Sequence, residues 1–261
     1  MSKSRQADTH VAGVRVDLTP KPQLIKQLAS LFDASADMDQ LTAVHTLNPE
    51  ICMAALSEPC FRDVLNAGQF NVVDGVGLQA VLKLRTHHQV DRTCGSDLVY
   101  DLAQMCHAAG RALMIIGGTP NRIEKACARL VDLLPNLQVI GNSPPYTPHL
   151  PLINQTEIES LITKHKPAVI AVCLGAPKQE FWINENRTFL YANQVKIAAG
   201  LGGTVDFLSG DVPRAPKMLR QIGLEWLYRL YIEPQRWRRQ IRTLPKFAAL
   251  ALTSKSFVQN G

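Results

Sequence analysis

The chain has 261 residues, 46% of them hydrophobic, and its formal net charge is +6. Such a chain can bury a full core, but no run approaches the roughly 18–20 consecutive apolar residues that a membrane-spanning helix needs. The first residues hold no apolar signal-peptide region, so we expect a cytoplasmic protein. The six scattered cysteines form no C-x-x-C pair, which argues against a disulfide framework or a zinc site.

The positive charge is concentrated at the C-terminal end. Residues 211–261 contain ten Lys/Arg and three Asp/Glu, whereas residues 1–210 contain eighteen and nineteen. The tail also carries Trp, Tyr and Leu at helical spacing, a pattern typical of docking on an anionic surface or ligand. We therefore predict a globular catalytic domain over residues 1–210 and a basic amphipathic helical appendage over residues 211–261. Nucleic acid is disfavoured as the partner because the rest of the chain offers no basic surface.

Apolar runs rich in β-forming residues alternate with helical patterns along the chain. This alternation predicts βαβ units and a Rossmann-like α/β fold with a mainly parallel sheet. The predicted strands are Val11–Val16, Leu41–Leu47, Phe70–Val73, Ala112–Gly117, Leu137–Gly141, Ala168–Leu174 and Val195–Gly200. The predicted helices include Pro49–Ala67, Ser96–Ala109, Asn121–Leu134 and Pro177–Asn186, and both prolines suit a first helical turn.

Most of these strands end in small or polar residues. The carboxyl ends of parallel strands meet at one edge of a sheet, where ligands bind. We therefore expect a nucleotide-sized site formed by the turns at residues 46–48, 74–75, 117–119, 175–177 and 200–203.

Asp74 is the most suggestive carboxylate at this edge, because it follows an apolar strand and precedes a glycine. Partial desolvation there would raise its pKa towards that of a general base. An N-cap of the following helix is an equally good interpretation. The segment Gly75–Ala80 matches G-x-G-x-x-A, but it lies late in the chain and has no acidic residue about 20 residues further on. Dinucleotide binding is therefore a minor alternative.

Two further motifs contain residue types that could bind charged ligands. Asp37 and Asp39 spell D-x-D, but they precede a strand, so we interpret them as a solvated turn and predict no metal site and no cofactor. The segment Gly175–Glu180 opens a helix at a strand end, where free N–H groups and Lys178 suit an anion. Gln179 could hydrogen-bond a sugar hydroxyl or a base edge.

Three tail arginines lie close enough to act together. Arg236 and Arg239 share a helical face if a helix restarts at Pro234, and Arg229 lies just before that break. Their guanidinium groups would clamp a diphosphate through bidentate hydrogen bonds.

The motif set resembles the WecG/TagA/CpsF glycosyltransferases over most of the chain. It comprises Thr46–Asn48, Val73–Gly77, Gly95–Leu98, Ile116–Gly118, Leu174–Glu180, Gly202–Asp206, Arg214–Pro216 and Gly223–Arg229 with Glu233–Arg236. The resemblance implies an inverting, metal-independent transfer of a sugar from a UDP-sugar to a sugar carried on a polyprenyl diphosphate. One departure is the loop Gly141–Tyr146, which is richer in proline than the family loop. The resemblance therefore does not identify a particular donor sugar.

The resemblance also implies roles for individual residues. Asp74 matches the general base, and Thr46, Asn48 and Gln179 match residues that line the sugar pocket. Arg229, Arg236 and Arg239 match arginines that engage the diphosphate. It further implies a peripheral position on the inner face of the plasma membrane, with Trp226, Trp237 and Phe247 at headgroup level, and homo-oligomers that hide the tail. An inactive relative that binds lipid-linked sugar or acts as a scaffold is the main alternative.

Overall fold

The computed structural model describes residues 9–33, 40–145, 155–221, 223–234, 237–254 and 256–259. In these ranges the strands are β1 (Thr9–Val11), β2 (Val14–Val16), β3 (Thr42–Leu47), β4 (Phe70–Val73), β5 (Leu113–Gly117), β6 (Val139–Asn142), β7 (Val169–Cys173), β8 (Ile197–Gly200) and β9 (Val258–Gln259). The longer helices are α1 (Lys21–Ser30), α2 (Pro49–Ser57), α3 (Pro59–Ala67), α4 (Val76–Thr86), α5 (Gly95–Ala108), α6 (Pro120–Leu133), α7 (Gln155–His165), α8 (Lys178–Glu185), α12 (Glu225–Ile232) and α13 (Trp237–Thr253). Shorter ones are α9 (Arg187–Ala192), α10 (Thr204–Leu208) and α11 (Lys217–Gln221).

Strands β3 to β8 form one six-stranded sheet in the order β4-β3-β8-β7-β5-β6, and all neighbours are parallel. Successive residues of β5 and β7 alternate between two hydrophobic clusters, because side chains of a strand point to opposite faces. Leu113 and Ile115 join one cluster, whereas Met114 and Ile116 join the other. Helices cover both faces, so the Rossmann-like α/β prediction is confirmed.

Two predicted elements are interrupted. The expected strand Val11–Val16 is a hairpin, in which Ala12 and Gly13 adopt left-handed φ angles of 55° and 78° and Val11 pairs with Val14. Positive φ at both turn residues matches the right-handed twist of the flanking strands. The expected helix Pro49–Ala67 is two helices, because Pro59 cannot donate a backbone hydrogen bond and starts a new helix.

The C-terminal residues join the N-terminal hairpin. Strand β9 pairs antiparallel with β1, and the Phe247 and Phe257 rings contact edge to face at 5.5 Å. Phe247 is only 3% exposed, so the expectation that it contacts lipid is wrong. The boundary between residues 210 and 211 stays a prediction, as does the lipid contact of Trp226 and Trp237, which are partly exposed. None of the helices described above is long and apolar enough to cross a bilayer.

We predict that Phe247→Ala lowers the free energy of unfolding by about 3–5 kcal/mol, because it empties a buried aromatic site. The matched control is Tyr231→Ala, whose side chain is 83% exposed and whose removal should change stability by less than about 0.5 kcal/mol. Urea unfolding followed by circular dichroism measures both values. Equal, small effects for the two variants would show that the C-terminal segment does not pack on the hairpin.

Candidate active site

The consecutive strands β4-β3-β8-β7-β5 bring all five predicted turns side by side at one edge of the sheet. Strand β3 lies between β4 and β8, so the turns at 46–48, 74–75 and 200–203 are neighbours at the carboxyl edge. The carbonyl of Leu47 accepts hydrogen bonds from the backbone N–H groups of Asp74 (2.8 Å) and Gly75 (3.3 Å). These bonds fix the start of the Asp74 turn against the end of β3.

Asp74 lies at the end of β4 and is partly buried. Burial raises the pKa of its carboxyl group to about 6, against the lowering effects of a hydrogen bond from the Cys94 thiol and of the charges on Arg92 and Arg229. The following helix α4 has Gly75 as its N-cap and no side-chain cap, so the N-cap interpretation of Asp74 is wrong. A carboxylate with this pKa can accept a proton near neutral pH.

Thr46 and Asn48 both lie at the end of β3, beside Asp74. The buried Thr46 hydroxyl donates to the carbonyl of Gly200 at 2.8 Å, which ties β3 to β8. Asn48 is the N-cap of α2, and its Oδ1 accepts from the backbone N–H of Ile51 at 3.0 Å. The N–H groups of the Asn48 side-chain amide take no part in this cap, so they can donate hydrogen bonds to a ligand at this edge. Substrate contact by either residue stays a prediction.

Gln179 is almost fully buried in the first turn of helix α8, and it lies against the loop of residues 200–203 that follows β8. Its Oε1 accepts from the backbone N–H of Gly202 (2.9 Å), and its Nε2 donates to Glu180 Oε1 (2.8 Å). A Cβ at Gly200 would lie 2.9 Å from Gln179 Nε2, so a glycine is needed where the chain crosses this amide. Gln179 therefore holds the turn after β8, while its predicted contact with the sugar stays a prediction. Lys178 is the first residue of α8 and is partly buried.

Arg229 on α12 reaches across to the turn after β8. Its Nη2 lies 3.3 Å from Asp206, its Nε donates to Glu233 at 2.7 Å, and its guanidinium stacks 4.6 Å from the centre of the Phe207 ring. Asp206 also pairs with Arg122 at 2.7 Å. The tail is thus joined to the carboxyl edge by ion pairs.

The other two predicted arginines cannot be placed beside Arg229. Arg236 lies outside the described residues, and Arg239 lies within α13 but its side chain is not among those described. Asp37 and Asp39 also lie outside the described residues. The roles predicted for these positions stay predictions.

Comparison with known proteins bears directly on this edge and tail. The family model of WecG/TagA/CpsF glycosyl transferases matches residues 9–260, which include every turn described above. The chain belongs to this glycosyltransferase family. It is 31% identical over 209 residues to the N-acetylglucosaminyldiphosphoundecaprenol N-acetyl-beta-D-mannosaminyltransferase of Bacillus subtilis, covering 80% of this chain and 78% of that protein. It is 32% identical over 230 residues to the protein of the same name from Bacillus spizizenii, covering 88% and 86%.

The glycine motif of this glycosyltransferase serves packing. A Cβ at Gly75 would lie 2.9 Å from Pro49 Cδ, and one at Gly77 would lie 3.2 Å from Pro49 Cγ. These glycines let α4 start close against α2. A match to the spacing alone therefore does not identify a nucleotide site.

Sequence analysis of the glycosyltransferase named two carboxylates, Glu180 and Asp206, as members of motifs but assigned neither of them a role. Glu180 is fully buried, and burial raises its pKa to about 7, although Gln179 donates to one of its oxygens. No local pattern marks a buried glutamate, since position 180 looks like an ordinary first-turn acidic residue. The role of Asp206 becomes visible through its ion pair with Arg229, which lies on a separate helix. By contrast, Glu233 follows Arg229 by four residues, a spacing that predicts a helical ion pair.

We predict that Glu180→Gln changes how stability depends on pH. Burial raises the pKa of Glu180 in the folded state above the ordinary glutamate value of 4.5, so the folded form binds the proton more tightly than the unfolded form. Wild-type stability therefore falls as pH rises through 7. Between pH 6 and 8 the wild type should lose about 1 kcal/mol relative to Glu180→Gln. Urea unfolding at several pH values measures this difference. A difference that is constant with pH would contradict the raised pKa.

Proposed function

We propose that this glycosyltransferase transfers a hexose from a UDP-sugar to a saccharide carried on a polyprenyl diphosphate. The position of Asp74 carries the proposal, because a carboxyl group with a pKa of about 6 stands at the ligand edge of the sheet, within electrostatic reach of Arg229. The names of the two Bacillus relatives support the acceptor class, since both act on a sugar linked to diphosphoundecaprenol. Transfer to such an acceptor belongs to cell-surface or secreted polysaccharide synthesis.

In the proposed reaction Asp74 takes the proton from the acceptor hydroxyl. The hydroxyl oxygen attacks the anomeric carbon from the face opposite UDP, the bond to the UDP oxygen breaks, and its electron pair leaves with the diphosphate. The configuration at the anomeric carbon is therefore inverted. Donors fixed where negative charge develops lower the barrier, so the proposal assigns the departing charge to guanidinium groups and helix N-terminal N–H groups, without a metal ion.

Arg229 must change partners to act in this step. It is now paired with Asp206 and Glu233, and a diphosphate would replace at least one of these carboxylates. Such an exchange keeps the guanidinium paired before and after binding, which limits the cost of desolvating it. Arg236 and Arg239 are proposed to complete the clamp.

The tail surface supports binding of the enzyme to the inner face of the membrane. The helices of residues 217–253 present apolar side chains to solvent. The exposed fractions are 83% for Tyr231, 73% for Met218, 55% for Trp237, 53% for Ile241 and 48% for Leu227. The same segment holds most of the excess of basic residues. Apolar side chains together with basic ones favour an anionic lipid surface. When the enzyme is not bound to the membrane, homo-oligomer formation would cover these side chains.

We predict that Asp74→Asn lowers the transfer rate by about 10²–10⁴-fold, because the amide cannot take the proton. Release of UDP from a panel of UDP-sugars is measured with a lipid-diphosphate-sugar acceptor in vesicles. Asp63→Asn, on the exposed face of α3, is the matched control and should keep the wild-type rate. NMR of the product should show the inverted anomeric configuration. Retention, or full activity of Asp74→Asn, would contradict the mechanism, and acceptor binding without UDP release in wild type would favour the inactive binder.

We predict that Arg229→Gln, Arg236→Gln and Arg239→Gln each lower kcat/KM by about 10–100-fold, the effect of losing one charge-assisted hydrogen bond. Point variants are preferable to a chain ending at Gly210, because that truncation would remove β9 and the buried Phe247. Arg242→Gln, an exposed position on α13, is the control for general attraction to lipid. The proposed diphosphate clamp would be contradicted if all four variants lost activity equally and if high salt removed the difference in activity between the variants and wild type.

A further inference from the structure

A second concave region lies beside the candidate active site. It is a cavity of about 450 Å³ between α5, α10 and the segment from Gly210 to Arg220. Thr46, Asn48, Asp74 and Gln179 do not line it. Ser96 and Tyr100 of α5 form one wall, and Phe207 of α10 forms another. The cavity is therefore distinct from the cleft that contains Asp74.

Three arginines from separate parts of the chain line this cavity: Arg129 of α6, Arg214 of the segment before α11, and Arg220 of α11. Among the described residues, no Asp or Glu lines it. Three guanidinium groups around one space repel one another, although solvent screens the charges of the exposed Arg129 and the partly buried Arg220. The charges that face each arginine therefore decide what the cavity can hold.

Arg214 is balanced within the protein. Its guanidinium lies 2.6 Å from Asp97 and 3.5 Å from Glu225, and it donates to the Ser96 hydroxyl at 2.9 Å. The two carboxylates approach Arg214 from outside the cavity lining. Arg214 therefore adds a fixed wall to the cavity and little net charge.

Arg129 and Arg220 are not balanced in this way. Arg220 donates from Nε to the carbonyl of Ala215 at 3.0 Å, and no ion pair to it is recorded among the described residues. For Arg129, the described part of the chain gives no hydrogen bond or ion pair, and its Nη1 lies 3.8 Å from where a Cβ of Gly210 would be. Two positive charges thus border the cavity, that of the exposed Arg129 and that of the partly buried Arg220, and together they match the charge of about −2 on a phosphomonoester.

The remaining lining suits the organic part of such a ligand. The Tyr100 and Phe207 rings and the buried side chains of Leu208 and Val212 provide apolar surface, and the Tyr100 hydroxyl provides a donor. A bare inorganic ion would leave most of this volume empty. The chemistry therefore favours a phosphate attached to an apolar or aromatic group.

We propose that this cavity is a second ligand site, which binds a phosphomonoester or diphosphate of an organic molecule through Arg129 and Arg220. The ligand is either a soluble nucleotide or sugar phosphate, or the phosphate of a polyprenyl lipid. A ligand here also lies beside Arg214, whose partner Glu225 begins α12, the helix that carries Arg229.

Binding is measured directly, so the outcome does not depend on the proposed transferase activity. The soluble probe is phenyl phosphate, with phenol as its blank. The lipid probe is vesicles that contain polyprenyl phosphate, with vesicles that lack this phosphate as the blank. Titration calorimetry gives the Kd for phenyl phosphate, and co-sedimentation gives the binding to vesicles. Wild type is compared with Arg129→Gln and with the Arg129→Gln/Arg220→Gln double variant. The matched control is Lys26→Gln/Lys164→Gln, which removes two exposed positive charges from α1 and α7.

We expect the Kd of at least one phosphate probe to rise at least about tenfold in the double arginine variant and to stay unchanged in the double lysine variant. Arg129→Gln alone should weaken binding as well, and it removes no hydrogen bond or ion pair within the part of the chain that the structure describes. Thermal unfolding verifies that each variant is folded. Binding of phenyl phosphate assigns the site to soluble ligands, and binding to phosphate-bearing vesicles alone assigns it to lipid. No phosphate-dependent binding in wild type, or equal binding by the two double variants, would overturn the proposal.

Discussion

The parallel order of strands β4, β3 and β8 is the constraint on which the site depends. Because these strands run side by side in one direction, their C-terminal turns must meet, although the turn after β8 lies more than 120 residues from the other two in the chain. Backbone hydrogen bonds to Leu47 fix the Asp74 turn, and the Thr46 hydroxyl fixes the turn at Gly200. The sheet, and not a set of flexible loops, therefore determines the relative positions of the candidate catalytic residues.

Burial acts differently on the titratable groups near this edge. It raises the pKa of Asp74 to about 6 and that of Glu180 to about 7, and it lowers the pKa of His45 in β3 to about 3. Asp74 is the one of the three at the ligand edge that is partly accessible, so it can exchange its proton with a substrate. Glu180 and His45 are enclosed by the fold, and their shifted pKa values report on packing. A shifted pKa therefore becomes catalytic evidence only when the group can reach a ligand.

The sequence was sufficient for the sheet and for the position of Asp74. Apolar runs such as Ala168–Leu174 have few structural alternatives, and a carboxylate directly after such a run must lie at a strand end. The hairpin at Ala12–Gly13 was missed because alanine seldom adopts a positive φ. Strand β9 was missed because two residues carry no periodicity, and its pairing with β1 joins the two ends of the chain. Contacts of this kind depend on tertiary structure, as do the partners of Gln179 and Arg229.

The dependence of transfer rate on pH tests most directly whether Asp74 is the base. Single-turnover transfer to the vesicle-bound acceptor would be followed from pH 5 to 8.5 in wild type and in Asp74→Asn. Our account predicts a wild-type rate that falls below a midpoint near pH 6, as the raised pKa of Asp74 requires, and a slow Asp74→Asn rate without this fall. A wild-type rate that does not change over this range, or the same fall in Asp74→Asn, would show that another group accepts the proton.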